Sequence, residues 1–349
     1  MPRTAAKSKR YERYELARSP FAQKPTQRQL AKLLGMTRDE LRRHASYKEQ
    51  CIVRREVRIN GKDRQLAYPE GPLRAVHEKL KFHLNKIKQP NYLYSPRVRK
   101  TQRDNAAVHT ESQQFLTLDL KQFYPSTSFS MIKSWFRDDL GMYDDVAGLL
   151  ANLSTVDGVA SFGSPLTPVL VSMVHRNMFN EIADACDEWG LKYSVWVDDL
   201  TISGKFVPGE FLERVRSIIS SHGLKSHKIS YRSGNRPVFI TGIGVVGKHL
   251  VAPSSLNTRI RDLWGELKAA NSNEEKASVS LKLLAQLGTL RHIAGRKSAA
   301  GQRAANMMNT VRQKRDKWQR QNIRDATEKR LIAQRTDSCP ENDQSLPWE

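Results

Sequence analysis

The chain has 349 residues, with 58 Lys or Arg against 36 Asp or Glu and a formal net charge of +22. That length can bury a substantial core in two or three subdomains, and such an excess of base attracts a polyanion, nucleic acid foremost. No apolar run approaches the roughly 20 residues of a membrane-spanning helix, Met1 to Arg28 lacks the apolar segment of a secretory signal, and Cys51, Cys186 and Cys339 are too widely spaced for a disulfide framework or a zinc pattern. A reduced, cytoplasmic protein without a membrane partner is expected.

Residues 1–24 are basic and aperiodic and are expected to form a loosely held arm. Two short helices follow, because Thr26 with Gln29 and Thr37 with Glu40 both have the spacing of a capping box. Leu30, Leu33, Leu34 and Leu41 give the pair a shared apolar face. A helix-turn-helix reading a DNA groove fits this outline; a packing role fits it as well.

From Cys51 to Tyr68 two β-favouring runs flank Asn60-Gly61, a strong hairpin signal. Arg55, Lys62 and Arg64 make this ribbon basic, suited to a triphosphate or a phosphodiester, or simply to solvent. Leu73 to Ile87 has helical apolar spacing, and 89–105 reads as a basic loop.

Phe115 to Leu120 alternates cleanly, with Leu116, Leu118 and Leu120 on one face and Asp119 at the end of the other. Gly163-Ser164-Pro165-Leu166-Thr167-Pro168 is expected to form a rigid turn opening one long helix to about Trp189. Tyr193–Val197 and Leu200–Ser203 then flank Asp198-Asp199, placing two carboxylates at a hairpin tip. Adjacent aspartates repel and strands disfavour Asp, so the pair costs stability unless a cation compensates. A solvated acidic turn is the bland alternative, and Asp119 is the third carboxylate that argues against it.

A helix over about 210–221 ends at Gly223 and leads into a basic stretch at Lys225–Lys228. Val238 to Val246 reads as one glycine-containing strand that Gly247-Lys248 turns back through Leu250-Val251. The remainder, about 255–334, reads as basic helices with Trp264 and Trp318 interleaved, a surface suited to RNA. A polar tail closes the sequence at 337–349.

The order Leu118-Asp119-Leu120, then Gly163 to Pro168, then Trp196-Val197-Asp198-Asp199 resembles the A, B and C motifs of reverse transcriptases. Asn105-Ala106-Ala107-Val108-His109 resembles the NAxxH signature of the retron subgroup, and Ile240-Thr241-Gly242 its VTG signature. Three positions depart from the pattern: Trp196 stands where Tyr is usual, Phe162 where Gln commonly precedes the glycine, and Leu166-Thr167 where Thr-Ser is usual.

The resemblance implies an α+β right-hand polymerase, with an N-terminal arm and helical pair (1–50), fingers (51–110), a palm with part of the fingers (111–250) and a basic helical thumb (251–336). It implies that Asp119, Asp198 and Asp199, with the Leu120 carbonyl, hold two Mg²⁺ ions. Tyr124 would exclude a ribose 2′-hydroxyl; Lys62, Arg64 and Gly163 would meet the incoming deoxynucleoside triphosphate, and Lys228 its pyrophosphate. Asn105, His109, Arg291, Arg296, Lys297, Arg312, Lys314 and Arg315 would contact RNA. The implied partners are a structured non-coding RNA serving as template and primer, a single-stranded DNA product, and a separate effector protein in antiphage defence. The alternatives are another defence-associated or group II intron-like reverse transcriptase, and a catalytically silent RNA-binding protein on the same fold.

Overall fold

The computed structural model describes residues 13–59, 61–233 and 236–337, and the side chains of all of these except 59, 62, 64 and 332–337. Two compact units divide the chain between Thr241 and Gly242. The tail beyond 337 and the first half of the expected arm lie outside the described residues. The second half of that arm is fixed rather than loose. Leu16–Arg18 and Pro20–Gln23 form 3₁₀ turns, the Ser19 hydroxyl accepts the Phe21 N–H, and Phe21 is fully buried.

In the first unit, α1 (Gln27–Leu33) and α2 (Arg38–Ser46) each begin in the expected capping box, at Thr26/Gln29 and Thr37/Glu40. Leu30, Leu34 and Leu41 are buried between them and the core. Strands β1 (Ile52–Ile59) and β2 (Lys62–Pro69) pair antiparallel with Ile59 opposite Lys62, and Gly61 takes φ +75° ahead of β2.

Helix α3 (Gly71–Leu84) stops three residues short of its expected end at Ile87. Tyr14 is the cause: its N–H donates to Lys86 O and its carbonyl accepts the Lys88 N–H, which draws 86–88 into an extended bridge. The supposed loop at 89–105 contains β3 (Leu93–Ser95) and the start of α4 (Gln102–Ala107). Pairing with a distant strand makes β3, and a Thr101/Asp104 capping box starts α4.

Strand β4 (Gln114–Leu120) leads through the short helices α5 (Phe123–Ser126) and α6 (Phe129–Ser134) to α7 (Asp144–Ser154). The single long helix expected after Gly163 is two, α8 (Thr167–Val174) and α9 (Arg176–Glu188). His175 bends the chain between them with ψ 14°, while the ladder bonds His175 N–H to Val171 O and Phe179 N–H to His175 O run across the bend.

Next come β5 (Lys192–Trp196), β6 (Asp199–Gly204), α10 (Gly209–Ser221) and β7 (Ser226–Ser233). These strands with β3 and β4 form a five-stranded sheet in the order β3-β5-β6-β4-β7. Strand β7 replaces the basic stretch expected at Lys225–Lys228. Its residues are mostly exposed, so no apolar alternation announced it, and antiparallel pairing with β4 supplies the bonds that make it a strand. The core gathers Leu116, Leu118, Leu120, Val195, Leu200 and Ile202 from the sheet with Phe179, Ile182, Phe211 and Val215 from α9 and α10.

The strand expected over Val238–Val246 is interrupted. β8 (Val238–Ile240) closes the first unit, and Thr241 and Gly242 both take positive φ, 48° and 83°. In the second unit β9 (Ile243–Val246) and β10 (His249–Val251) form the hairpin expected around Gly247-Lys248. Helices α11 (Ser254–Ala269), α12 (Asn273–Ala294) and α13 (Ala299–Asp337) complete an α+β protein. No helix among the described residues is long and apolar enough to cross a membrane.

Candidate active site

Strand alternation sends Leu118 and Leu120 into the core and leaves Asp119 at the strand's end on the opposite face, 8% exposed. Strand β6 lies beside β4 with Asp199 directly opposite Asp119. On the other side β6 pairs with β5, where Trp196 faces Asp199. The hairpin turn is therefore Val197-Asp198, one residue earlier than the Asp198-Asp199 tip expected, and Asp199 is the first residue of β6. Val197 takes φ +61° in this turn, and its N–H donates to Ser95 O at 3.0 Å. The Leu120 N–H donates to Asp198 O at 2.9 Å, a backbone bond that ties the two acidic segments together.

The outcome is a cluster in which Asp119, Asp198 and Asp199 each offer a carboxylate oxygen within 4.8 Å of the others. Burial, then the charges of Asp119 and Asp199, push the Asp198 carboxyl up to about 6. Burial and Asp119 raise Asp199 too, and Lys228 opposes that rise. Asp119 Oδ1 is buried with no hydrogen-bond partner among the described residues. Three convergent hard oxygen donors with one orphaned are the donor set that a divalent cation such as Mg²⁺ or Ca²⁺ accepts. The residues fit such an ion.

Lys228 reaches the same cluster by a backbone irregularity. Between Thr117/Ser230 and Asp119/His227, β7 carries one residue more than β4, a bulge in which Lys228 takes φ +50°. Bulges re-aim side chains beside functional sites. Here Lys228 Nζ donates to Asp119 Oδ2, and this bond raises the lysine's pKa. His227 lies alongside, Nε2 at 3.6 Å from Asp119 Oδ2.

Tyr124, on α5, is half-buried, and burial with the nearby Asp198 charge raises its hydroxyl. Its ring meets Phe162 edge-on at 5.1 Å. Phe162 O accepts the Ala67 N–H from β2 at 3.2 Å. The adjacent Gly163 has φ +96°, and a Cβ there would stand 3.1 Å from Tyr68 Cβ, so glycine is required on both counts.

His77, from α3, is buried beneath this turn. Its Nε2 donates to Leu153 O at 2.7 Å, which leaves Nδ1 to accept from the Ser164 hydroxyl, also at 2.7 Å. Ser164 Oγ also accepts the Leu166 N–H. The sequence reading passed over both His77 and the bulge at Lys228. A histidine among the leucines of α3 was the available signal for the first; nothing local announced the second.

The other expected site residues are dispersed. Lys62 and Arg64 lie on β2 opposite Ile59 and Val57, and their side chains fall outside the described ones. Asn105 and His109, expected to contact RNA, are 1% and 0% exposed. In the second unit Arg291 is half-buried in the last turn of α12, and Arg296 and Lys297 are exposed between α12 and α13. Arg312 and Lys314 are exposed on α13, while Arg315 is half-buried and pairs with Asp316 at 3.3 Å.

A mainly antiparallel sheet that converges three carboxylates at the ends of its central strands defines a protein with a candidate divalent-metal centre. Comparison with known proteins narrows the class. The chain is 29% identical over 181 residues to the retron Se72 reverse transcriptase of Salmonella heidelberg (strain 579083-10), covering 51% of this chain and 46% of that protein. It is 26% identical over 232 residues to the retron Mx65 reverse transcriptase of Myxococcus xanthus, covering 60% and 54%. It is 22% identical over 208 residues to the retron Ec48 reverse transcriptase of Escherichia coli, covering 58% and 51%. The matched region thus spans about half the length of these curated relatives, and no protein-family model matches the chain. These similarities support a retron-type reverse transcriptase, the family that the motifs resemble.

Proposed function

We propose that the chain is an RNA-directed DNA polymerase of retron type, which copies part of a structured non-coding RNA into single-stranded DNA joined to that RNA. The observation that carries this reading is the convergence of Asp119, Asp198 and Asp199 at one end of the central strands, in a chain similar to several retron reverse transcriptases. In this reading the three aspartates and the Leu120 carbonyl hold two Mg²⁺ ions. When bound, such ions supply an activated primer hydroxyl and charge neutralisation at the leaving pyrophosphate.

The chain's own residues supply position and selection. Tyr124, held edge-on by Phe162, closes the space that a ribose 2′-hydroxyl would need. Gly163 lets the nucleotide or template backbone pass close to the turn. Lys228, on its bulge beside Asp119, is a proton source for the departing pyrophosphate, and Lys62 and Arg64 of the β1–β2 ribbon serve the incoming triphosphate. Residues 51–110 act as fingers, 111–250 as palm, and the basic helices of 251–336 as a thumb that holds RNA through its phosphates. A role in antiphage defence with a separate effector completes the proposal.

Sequencing the nucleic acid that co-purifies with the chain, expressed with its native flanking DNA, tests this. The expected result is single-stranded DNA linked to RNA from the wild type and not from Asp198→Asn/Asp199→Asn. RNA without attached DNA from both would remove the reading.

A further inference from the structure

The burial of His109 leaves it no surface to contact, yet its polar partners are unusual for a core residue. Nδ1 lies 2.7 Å from Ser203 Oγ and Nε2 lies 2.7 Å from Ser194 Oγ. A neutral imidazole offers one donor and one acceptor, and two hydroxyls complement it in either tautomer. Ser112 Oγ, 2.9 Å from Ser203 Oγ, completes the chain of bonds. Around this ring Lys192 Nζ donates to Thr110 O at 2.6 Å, and the Gln113 N–H donates to Gly204 O at 2.8 Å.

The partners belong to the two strands of the hairpin that bears Asp198 and Asp199. Ser194 lies on β5 four residues before Asp198, and Ser203 lies on β6 four residues after Asp199. The pairs Ser194–Thr201 and Lys192–Ser203 put both serines on one face of the hairpin. His109 itself stands five residues before β4, whose far end bears Asp119. His109 thus bonds directly to β5 and β6 and continues through the chain into β4, at the end about 13 Å from the carboxylates, roughly four residues at about 3.3 Å each.

Asp119 and Asp199 converge only because β4 and β6 pair in one register, and a slip of one residue would turn every side chain to the opposite face. Strand β5 needs such a tie, since beyond β6 its one strand neighbour is the three-residue β3.

We propose that His109 is a positioning residue for the carboxylate site: it clamps β4, β5 and β6 through Ser194 and Ser203, and so fixes where Asp119, Asp198 and Asp199 stand. This deepens the polymerase reading and rests on it. The NAxxH-like run then serves metal holding and turnover rather than recognition of an RNA.

The test uses the full chain carrying His109→Leu, the double change Ser194→Ala/Ser203→Ala, or His109→Gln. Mn²⁺ binding is read by electron paramagnetic resonance on the folded protein, and turnover is read with dTTP on poly(rA)/oligo(dT), a duplex without retron RNA. His109→Leu and the double serine change are expected to weaken Mn²⁺ binding about tenfold and to lower kcat about 10- to 100-fold, the range seen when groups supporting metal ligands are removed. KM for the duplex should hold within about twofold, and His109→Gln, whose amide can reach one serine, should recover part of the loss.

Wild-type Mn²⁺ affinity and kcat in folded variants would overturn the proposal. If His109→Leu fails to fold, the double serine variant, which keeps the ring, decides the matter. If the wild type binds Mn²⁺ yet incorporates nothing, the polymerase reading falls, and the Mn²⁺ affinities alone judge the clamp.

Discussion

At one end of the five-stranded sheet, Asp119, Asp198 and Asp199 bring carboxylate oxygens within 4.8 Å of one another, with one oxygen buried and unpartnered. At the other end His109, Ser194, Ser203 and Ser112 are just as polar, and their hydrogen bonds close on one another. Both ends draw on the β5–β6 hairpin: Ser194 and Ser203 lie on its strands, Asp198 lies in its turn and Asp199 starts β6, with Asp119 added from β4. The satisfied end can stand as permanent structure, because buried polar groups with partners cost little. The unsatisfied end stores repulsion that only a cation or a proton relieves. Local rules are broken where a function asks for it, and the surrounding sheet supplies the compensation.

The comparison breaks first at the acidic end. Asp198→Asn/Asp199→Asn should lower deoxynucleotide incorporation at least about a thousandfold, the scale of losing groups that act as one catalytic unit, while raising the metal-free melting temperature because the repulsion is gone. Incorporation that survives in the double variant would place the chemistry elsewhere.

Acid should separate the two kinds of polar burial by sign. Burial depresses His109 to about 3, and His77 and His175 to about 4, from the ordinary 6.5. Between pH 6.5 and those values the unfolded chain binds protons that the folded chain refuses, so stability is full above about 6.5 and is lost as pH falls toward 4. At most, His77 and His175 each contribute on the order of 3 kcal/mol and His109 on the order of 5 kcal/mol. Asp198 acts oppositely: raised to about 6, it favours the fold below about 4 and loses that contribution as pH rises through 6. Asp199, raised as well, acts in the same direction as Asp198, but the three histidines outweigh the two carboxyls, so melting curves should show net destabilisation from pH 6.5 to 4, and a flat or rising profile would contradict the buried neutral rings.

A smaller effect is expected beside the carboxylates. Tyr124→Ala should raise ribonucleotide use relative to deoxynucleotide use by about 10- to 100-fold in kcat/KM, the range open to a steric wall in a binding pocket. Unchanged sugar selectivity would take Tyr124 out of the gate. Smallest of all is a change far from either end. Thr37→Ala removes the cap of α2 and should cost about 1 kcal/mol in urea unfolding with Mn²⁺ affinity untouched, which makes it the control for the His109 variants.

Much of this arrangement was legible in the residues. The capping boxes at Thr26 and Thr37, the pairing of the β1–β2 hairpin and the alternation that turns Asp119 away from the leucine face are local signals, and local bonding realises them. Reading the turn as Asp198-Asp199 missed by one residue, because the register that makes Asp199 a strand residue comes from β4, some eighty positions earlier. Strand β7 and its bulge were hidden for the same reason: their bonds are to β4, and their side chains face solvent. His109 was expected at an RNA because Asn105 to His109 resembles the NAxxH signature, and no local signal showed that Ser194 and Ser203 would meet it in the core. Pairing across long separations decided each of these, and composition carried none of it.

The most direct test of the central claim is incorporation of labelled dTTP on poly(rA)/oligo(dT) with Mg²⁺, by wild type beside Asp198→Asn/Asp199→Asn. Extension by the wild type that the double variant lacks, and that chelation of the metal abolishes, is the predicted result. No extension by a folded, RNA-bound wild type, or equal extension by both proteins, would contradict an RNA-directed DNA polymerase centred on Asp119, Asp198 and Asp199.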